Sequence, residues 1–373
     1  MNLENKALSF FRGEMRVPAF LPDATLGVVR SIDSLDLEMC GIQALVMNTF
    51  HLMQRPGSST IKSLGGLHRM GGWERPIVTD SGGFQIYSLI RENPKYGSIS
   101  EKGLSFQMED SPRKFNLTPE KTIQLQVGYG SDVVICLDDC THPNDPFELQ
   151  EASVKRTISW ARRCKKIFDQ LMDQKKISEN SRPLIFGVIQ GGQSRDLRKF
   201  CANELMEIGF DGFGFGGWPL DTKGNLLTEI IGYTRELVPS HLPMHALGVG
   251  HPINVVASFY LGYDLFDSSL PTRDARNGRL YTLCHEWPFS PGEWKGDWFS
   301  YTYIADNKHI KTDGPIFSSC DCLCCLRYSV GYLHHLYKIK DGLFLRLATI
   351  HNLRFMTLLT EQLRESREKG RDE

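Results

Sequence analysis

Residues 262–273 read Gly-Tyr-Asp-Leu-Phe-Asp-Ser-Ser-Leu-Pro-Thr-Arg. A short apolar run ends in the carboxylate of Asp267. A Pro-Thr-Arg turn follows, with further basic residues at Arg276 and Arg279. The pattern suits a buried strand that delivers one acid at its tip, beside a cationic loop. Taken alone, it is the end of an ordinary strand with an Asp turn. Its weight comes from being the last of a series. Seven earlier runs of the same kind lie at 18–25, 43–48, 76–80, 132–138, 183–190, 212–217 and 243–250, so that 263–267 is the eighth. Segments with helical spacing separate most of them, at 28–40, 119–128, 148–173, 194–208, 226–237 and 252–261. Ser194 suits the cap of one such helix and Pro252 the first turn of another.

Eight strands alternating with helices predict an α/β fold, a (β/α)8 TIM barrel. An open doubly wound sheet is the alternative, but it usually carries a Gly-rich turn after its first strand, and none stands there. Gly248-Val249-Gly250 lacks the third glycine of a dinucleotide fingerprint, and no P-loop motif occurs. In a barrel the C-terminal ends of the strands share one face, and function belongs there. Those ends carry Asp80, Asp138, Gln190, Gly216-Gly217 and Asp267. Three acids and an amide on one face point to an active site.

The totals agree with a soluble globular protein. The chain has 373 residues, 41% hydrophobic and 23% charged, with a formal net charge of -1. No global field announces a nucleic-acid partner, so any basic surface is local. No apolar run is long enough to span a membrane, and residues 1–17 lack the apolar core of a signal peptide. A cytoplasmic location is expected. Of ten cysteines, four crowd into Cys320, Cys322, Cys324 and Cys325. In a reducing compartment such crowding indicates metal rather than disulfides. Cys320, Cys322 and Cys325 form a C-x-C-x2-C set for structural Zn2+, which wants four ligands. Cys324, His334, His335 and His351 are the candidates for the fourth. The expected organisation is a barrel over 1–283, an aromatic-rich connection over 284–319 and a zinc-binding helical subdomain over 320–373. The connection carries Trp287, Phe289, Trp294, Trp298, Phe299, Tyr301 and Tyr303. Packing against the barrel rim is its expected role, with stacking on bases or a subunit contact as the alternatives. The subdomain reads as helices at 328–337 and 344–364 with a frayed charged tail.

Several longer motifs carry a family resemblance. They are Met47-Asn48-Thr49-Phe50-His51-Leu52 with Arg55-Pro56-Gly57, Thr79-Asp80-Ser81-Gly82-Gly83-Phe84-Gln85, and Leu137-Asp138-Asp139-Cys140-Thr141. Gln190-Gly191-Gly192, Gly209-Phe210-Asp211-Gly212, Phe266-Asp267 with Leu270-Pro271-Thr272-Arg273, Arg276-Asn277-Gly278, the cysteine knuckle and Ile350-His351-Asn352 complete the set. Over nearly its whole length the chain resembles the tRNA-guanine transglycosylases (queuine tRNA-ribosyltransferases), in their bacterial form. The resemblance implies a TIM barrel with a C-terminal zinc site made by Cys320, Cys322, Cys325 and His351. It implies exchange of guanine at the wobble position of a tRNA anticodon loop for a 7-deazaguanine base, of preQ1 or queuine type. It matches Asp267 to the nucleophile that attacks ribose C1′ and Asp80 to the general acid/base. Asp138, Gln190 and Gly217 match the groups that hold the edge of guanine, and Phe84 matches the aromatic that covers it. Cys140 is read as lining the pocket, and Arg273 and Arg276 as lying near bound RNA. A homodimer is expected.

The chain departs from the family at Gly216-Gly217-Trp218-Pro219-Leu220-Asp221-Thr222, where the family has Gly-Gly-Leu and a small-residue segment ending in Glu. That segment meets the 7-substituent of the incoming base. The departure leaves room for insertion of a deazaguanine into DNA or for an atypical base. A non-catalytic RNA-binding partner subunit is the alternative from another class, and retention of Asp80, Asp138 and Asp267 speaks against it. A metal-dependent hydrolase is opposed by the lack of a histidine pair at any strand tip.

Overall fold

Eight short strands form a single all-parallel sheet that curls into a ring. In the computed structural model, which describes residues 7–107, 114–284, 294 and 296–369, they are β1 (Ala19–Pro22), β2 (Leu45–Asn48), β3 (Ile77–Asp80), β4 (Val133–Ile135), β5 (Leu184–Ile189), β6 (Gly212–Phe215), β7 (Met244–Ala246) and β8 (Leu265–Ser268). Each pairs with its neighbours in chain order, and β8 returns to β1 with Asp267 opposite Leu21. A parallel bridge between Asp23 and Val46 joins β1 to β2, where the Ala24 amide donates to the Val46 carbonyl at 2.7 Å. The expected TIM barrel is therefore present. Most strand residues are buried, which is why the strands read as largely apolar runs.

The inward row of each strand explains both the core and the site. Leu21, Val46, Val78, Val133, Ile135, Phe186, Val188 and Leu265 fill the barrel. β6 contributes only glycines to this row. A Cβ on Gly212 would come within 2.6 Å of Phe186, one on Gly214 within 2.8 Å of Leu247, and one on Gly216 within 2.7 Å of Gln190. Large neighbours thus fill the space that β6 leaves. An antiparallel hairpin, Ala7–Phe10 with Gly13–Arg16, plugs the other end, burying Leu8 and Met15 against the barrel core.

Several elements differ from the sequence reading. The strands are shorter than expected, because the chain leaves the ladder early to build loops at the C-terminal face. Only Met244–Ala246 of 243–250 and Val133–Ile135 of 132–138 are strand. The segment 28–40 holds just a six-residue helix, Ser34–Met39. Ser31 has a φ of 78°, which breaks a helix there, and the Asp33 carboxylate starts a new one by accepting from the Asp36 amide. Helices Pro119–Tyr129, Phe147–Lys175, Arg195–Ile208, Thr228–Glu236 and Pro252–Tyr260 stand where periodicity places them. Ser194 caps its helix as anticipated, accepting from the Leu197 amide. Three further strands, Gly97–Ser100, Gly103–Gln107 and Lys114–Leu117, form a small antiparallel sheet beside the site.

The last helix runs Gly342–Lys369, well past the expected fraying at 365. Its end is docked rather than free. Arg364 donates to the Pro18 carbonyl at 2.6 Å, and Arg367 lies 3.6 Å from Asp264. In the aromatic connection, Arg279–Leu283 pairs antiparallel with Phe299–Tyr303. Phe299 meets Tyr281, His251 and Phe355 edge to face, so these rings pack between the barrel and the last helix. Trp287 and Phe289 lie outside the described residues. No helix among the described residues is long and apolar enough to cross a membrane.

Candidate active site and metal centre

The inward rows that fill the barrel end, at its C-terminal rim, in polar groups. Two residues above Val46 stands Asn48, above Val78 stands Asp80, above Val188 stands Gln190 and above Leu265 stands Asp267. The site is therefore the last turn of the barrel's own pleat.

Asp80 accepts from Asn48 Nδ2 at 2.7 Å through one oxygen, and from the amides of Gly82 (3.1 Å) and Thr49 (3.3 Å) through the other. Gly82 has a φ of 78°, and a Cβ there would meet Phe50 N at 2.8 Å. The close turn that brings its amide to Asp80 thus requires glycine. Burial outweighs these donors and, with Asp267 and Asp23 nearby, pushes the Asp80 pKa up to about 7. A carboxyl titrating there can give and take protons at neutral pH.

Asp267 is held differently. Its Oδ1 accepts from the Gly248 amide at 3.0 Å and lies 2.8 Å from Nε2 of the fully buried His245. Oδ2 accepts no hydrogen bond among the described residues. One oxygen is tethered and the other is left without a donor among the described residues.

Asp138 lies beyond the end of β4, not at a strand tip. Its Oδ2 accepts from Gln190 Nε2 at 2.6 Å, while Gln190 Oε1 is buried with no hydrogen-bond partner among the described residues. Burial raises the Asp138 carboxyl to about 6, against the lowering effect of Gln190. The adjacent Asp139 turns away and pairs with Arg156. Gly217, with a φ of 94°, follows β6 beside Gln190. Cys140 is buried next to this pair, its thiol pushed up by burial and by Asp138 and Asp139. Phe84 stands on the first turn of helix Gly83–Glu92, half-exposed, with its ring 5.5 Å from that of Trp218. Trp218 also meets His142 at 5.6 Å. The departing Trp218 segment and Phe84 therefore make one aromatic lip.

Arg273 and Arg276 lie on helix Leu270–Arg276 directly after β8. Burial, with Arg30 and Arg273 close by, holds the Arg276 guanidinium below its ordinary pKa. Its NH1 is buried without a hydrogen-bond partner among the described residues. An unpaired guanidinium nitrogen in a cationic cluster suits a phosphate.

Sequence reasoning missed three contributors. Asn48 and His245 are polar residues inside strands, and only the closed ring shows that they face Asp80 and Asp267. Arg198 is fully buried, its guanidinium 4.0 Å from the centre of the Phe215 ring. It donates to the carbonyls of Ile189 (2.7 Å), Gly192 (2.9 Å) and Gly216 (3.0 Å). It clamps the ends of β5 and β6 and so sets Gln190 and Gly217. The available signal was an arginine on the inward face of a helix capped at Ser194.

Away from the pocket, Cys320, Cys322, Cys325 and His351 gather their ligand atoms within 4.8 Å of one another. The His351 Nδ1 to Sγ distances are 3.7, 3.7 and 3.3 Å. A tetrahedral zinc with ordinary bond lengths puts such atoms about 3.6 Å apart, so the set fits the ion. His351 Nε2 stands 2.7 Å from the Tyr281 carbonyl, which would fix the tautomer that presents Nδ1. Cys324, His334 and His335 are not in the set; His334 Nδ1 faces the Ile304 carbonyl instead. Arg354, one turn beyond His351, pairs with Asp321 inside the knuckle. Asn352 donates to the carbonyls of Pro271 and Arg279 and accepts from the Tyr281 amide, each at 3.0 Å. The Cys3His cluster is thereby coupled to the segment that follows Asp267.

A family model described as "Queuine tRNA-ribosyltransferase" matches residues 6–372. A protein of Francisella tularensis subsp. novicida (strain U112) with that same description is 37% identical over 365 residues, covering 98% of this chain and 91% of the relative. One from Psychrobacter sp. (strain PRwf-1), also so described, is 36% identical over 359 residues, covering 96% and 88%.

Proposed function

The chain belongs to the queuine tRNA-ribosyltransferase family of tRNA-guanine transglycosylases, and we propose that it exchanges the wobble guanine of tRNA for a preQ1- or queuine-type base through a covalent ribosyl intermediate on Asp267. The observation that carries this reading is the asymmetry of Asp267. Its Oδ1 is held by Gly248 and His245 while Oδ2 accepts no hydrogen bond among the described residues, and Asp80 lies close enough to feel its charge.

Displacement of a base with retention needs a carboxylate on the sugar face opposite the base. Asp138 accepts from guanine N1–H and the exocyclic amine. Gln190 and the Gly217 amide reach O6, Phe84 covers the ring, and Cys140 lines the floor. Oδ2 of Asp267 attacks C1′, the bond from C1′ to the purine breaks, and Asp80 gives its proton to the departing guanine. The incoming base then returns a proton to Asp80 and attacks C1′, and the ester to Asp267 breaks. Arg273 and Arg276 receive phosphates of the anticodon loop, and the target base leaves its stack to enter. Cys320, Cys322, Cys325 and His351 would hold a zinc ion with four protein ligands, and the ion would supply a structural cross-link rather than catalysis. The enzyme works in the cytoplasm as a homodimer on this reading, and light scattering in solution checks the dimer.

Radiolabelled guanine offered with bulk tRNA and, separately, with DNA tests the reaction. Label entering tRNA alone, competed by queuine or its smaller precursor bases, is expected. Label entering DNA, or neither polymer, contradicts it. The rank of the competitors reports what the Trp218 lip admits.

A further inference from the structure

A fourth carboxylate, Asp23, lies beside Asp267 and Asp80 and has no part in the reaction as described. It lies two residues above Leu21 of the barrel core, on the strand whose Leu21 pairs with Asp267. It is itself bridged to Val46, two residues below Asn48. It thus stands between Asp267 on one side and the Asn48–Asp80 pair on the other. Its Oδ1 accepts both the Thr25 amide, at 3.1 Å, and the Thr25 hydroxyl. Oδ2 accepts no hydrogen bond among the described residues. The group is half-buried, and burial and Asp267 raise its pKa while Thr25 and His51 lower it. Asp80 and Arg276 both feel its charge. A local turn bond accounts for one oxygen and nothing accounts for the other.

The inference rests on the base-exchange reading, which puts C1′ of the target nucleotide at Asp267 and a phosphate at Arg276. The sugar must then lie between them, across Asp23. Inside a polynucleotide the 3′ and 5′ oxygens are esterified, so the one free hydroxyl of that sugar is the 2′-OH. We infer that Asp23 Oδ2 accepts a hydrogen bond from the 2′-hydroxyl of the target nucleotide, so that the enzyme selects RNA over DNA at the sugar itself. Contacts to the hydroxyl next to the reacting carbon also strengthen as positive charge develops there.

The test uses one tRNA made with guanosine or with 2′-deoxyguanosine at the exchanged position, and three enzymes: wild type, Asp23→Ala and Asp23→Asn. Asp23→Ala should lower kcat/KM on the ribose substrate by roughly 10- to 100-fold, as for loss of a hydrogen bond to a charged group. On the deoxy substrate it should lose less than about threefold, because that contact is already missing. Asp23→Asn keeps the side-chain shape should the alanine variant fold poorly, and its smaller loss should likewise be confined to ribose. Equal losses on both substrates, or none on ribose, overturn the inference while leaving the base-exchange reading standing. No exchange by the wild type on either substrate overturns both.

Discussion

Both oxygens of Asp80 accept N–H donors, from Asn48, Thr49 and Gly82, yet burial still raises its pKa to about 7. Asp138 and Asp139 are raised to about 6, each chiefly by burial. The folded protein therefore holds protons that the unfolded chain, with carboxyls near 4, has released. Stability should be greatest below about pH 4 as far as these groups contribute, and should decline as pH rises through about 7. Asp80→Asn should flatten the upper part of that decline, read by denaturant midpoints across the pH range. An unchanged slope contradicts the raised pKa. In the reaction, guanine release should slow above about pH 7 as Asp80 loses its proton. Asp138→Ala should leave the fold intact and weaken guanine binding by about 100-fold or more, because the base's buried donors lose their acceptor. Calorimetric titration with guanine checks it, and affinity within threefold of the wild type would remove Asp138 from the base edge.

At the scale of elements, two devices hold the site. The first is Arg198, which joins the ends of β5 and β6 through three carbonyls. Arg198→Met should cost roughly 3 kcal/mol or more by leaving buried acceptors unpaired, and should raise KM for the base by shifting Gln190 and Gly217. A variant with wild-type stability would mean that water replaces the guanidinium. The second is the metal knuckle, tied through His351 to Tyr281 and through Asn352 to Pro271 and Arg279. Elemental analysis should find about one zinc per chain. Cys322→Ser should remove it and lower both the melting temperature and exchange activity, since the Pro271 turn follows Asp267. A zinc content near zero in active wild-type protein refutes the centre.

For the whole molecule, the barrel was legible because buried parallel strands stand out as apolar runs bounded by turn residues. Val133–Ile135 and Leu184–Ile189 are plain examples. The acids were legible because a carboxylate after such a run has few structural uses. What stayed hidden depended on closure. Asn48 reaches Asp80 and His245 reaches Asp267 only because the sheet becomes a ring, and Asp23 lies near Asp267 across the seam where β8 returns to β1. The antiparallel sheet around Gly103–Gln107 was hidden for a different reason, since its short strands mix exposed polar and buried residues without a continuous apolar run. On the base-exchange reading, Asp267, the base-holding residues and Arg273 and Arg276 act together only when a whole tRNA is bound, and a covalent adduct would report all three at once. The deciding measurement is therefore a denaturing gel of the protein incubated with tRNA under exchange conditions, with the attachment site mapped by mass spectrometry. A protein–RNA band linked through Asp267, absent in Asp267→Ala along with all guanine exchange, is the predicted result. Normal turnover by Asp267→Ala, or an adduct on another residue, would contradict the account.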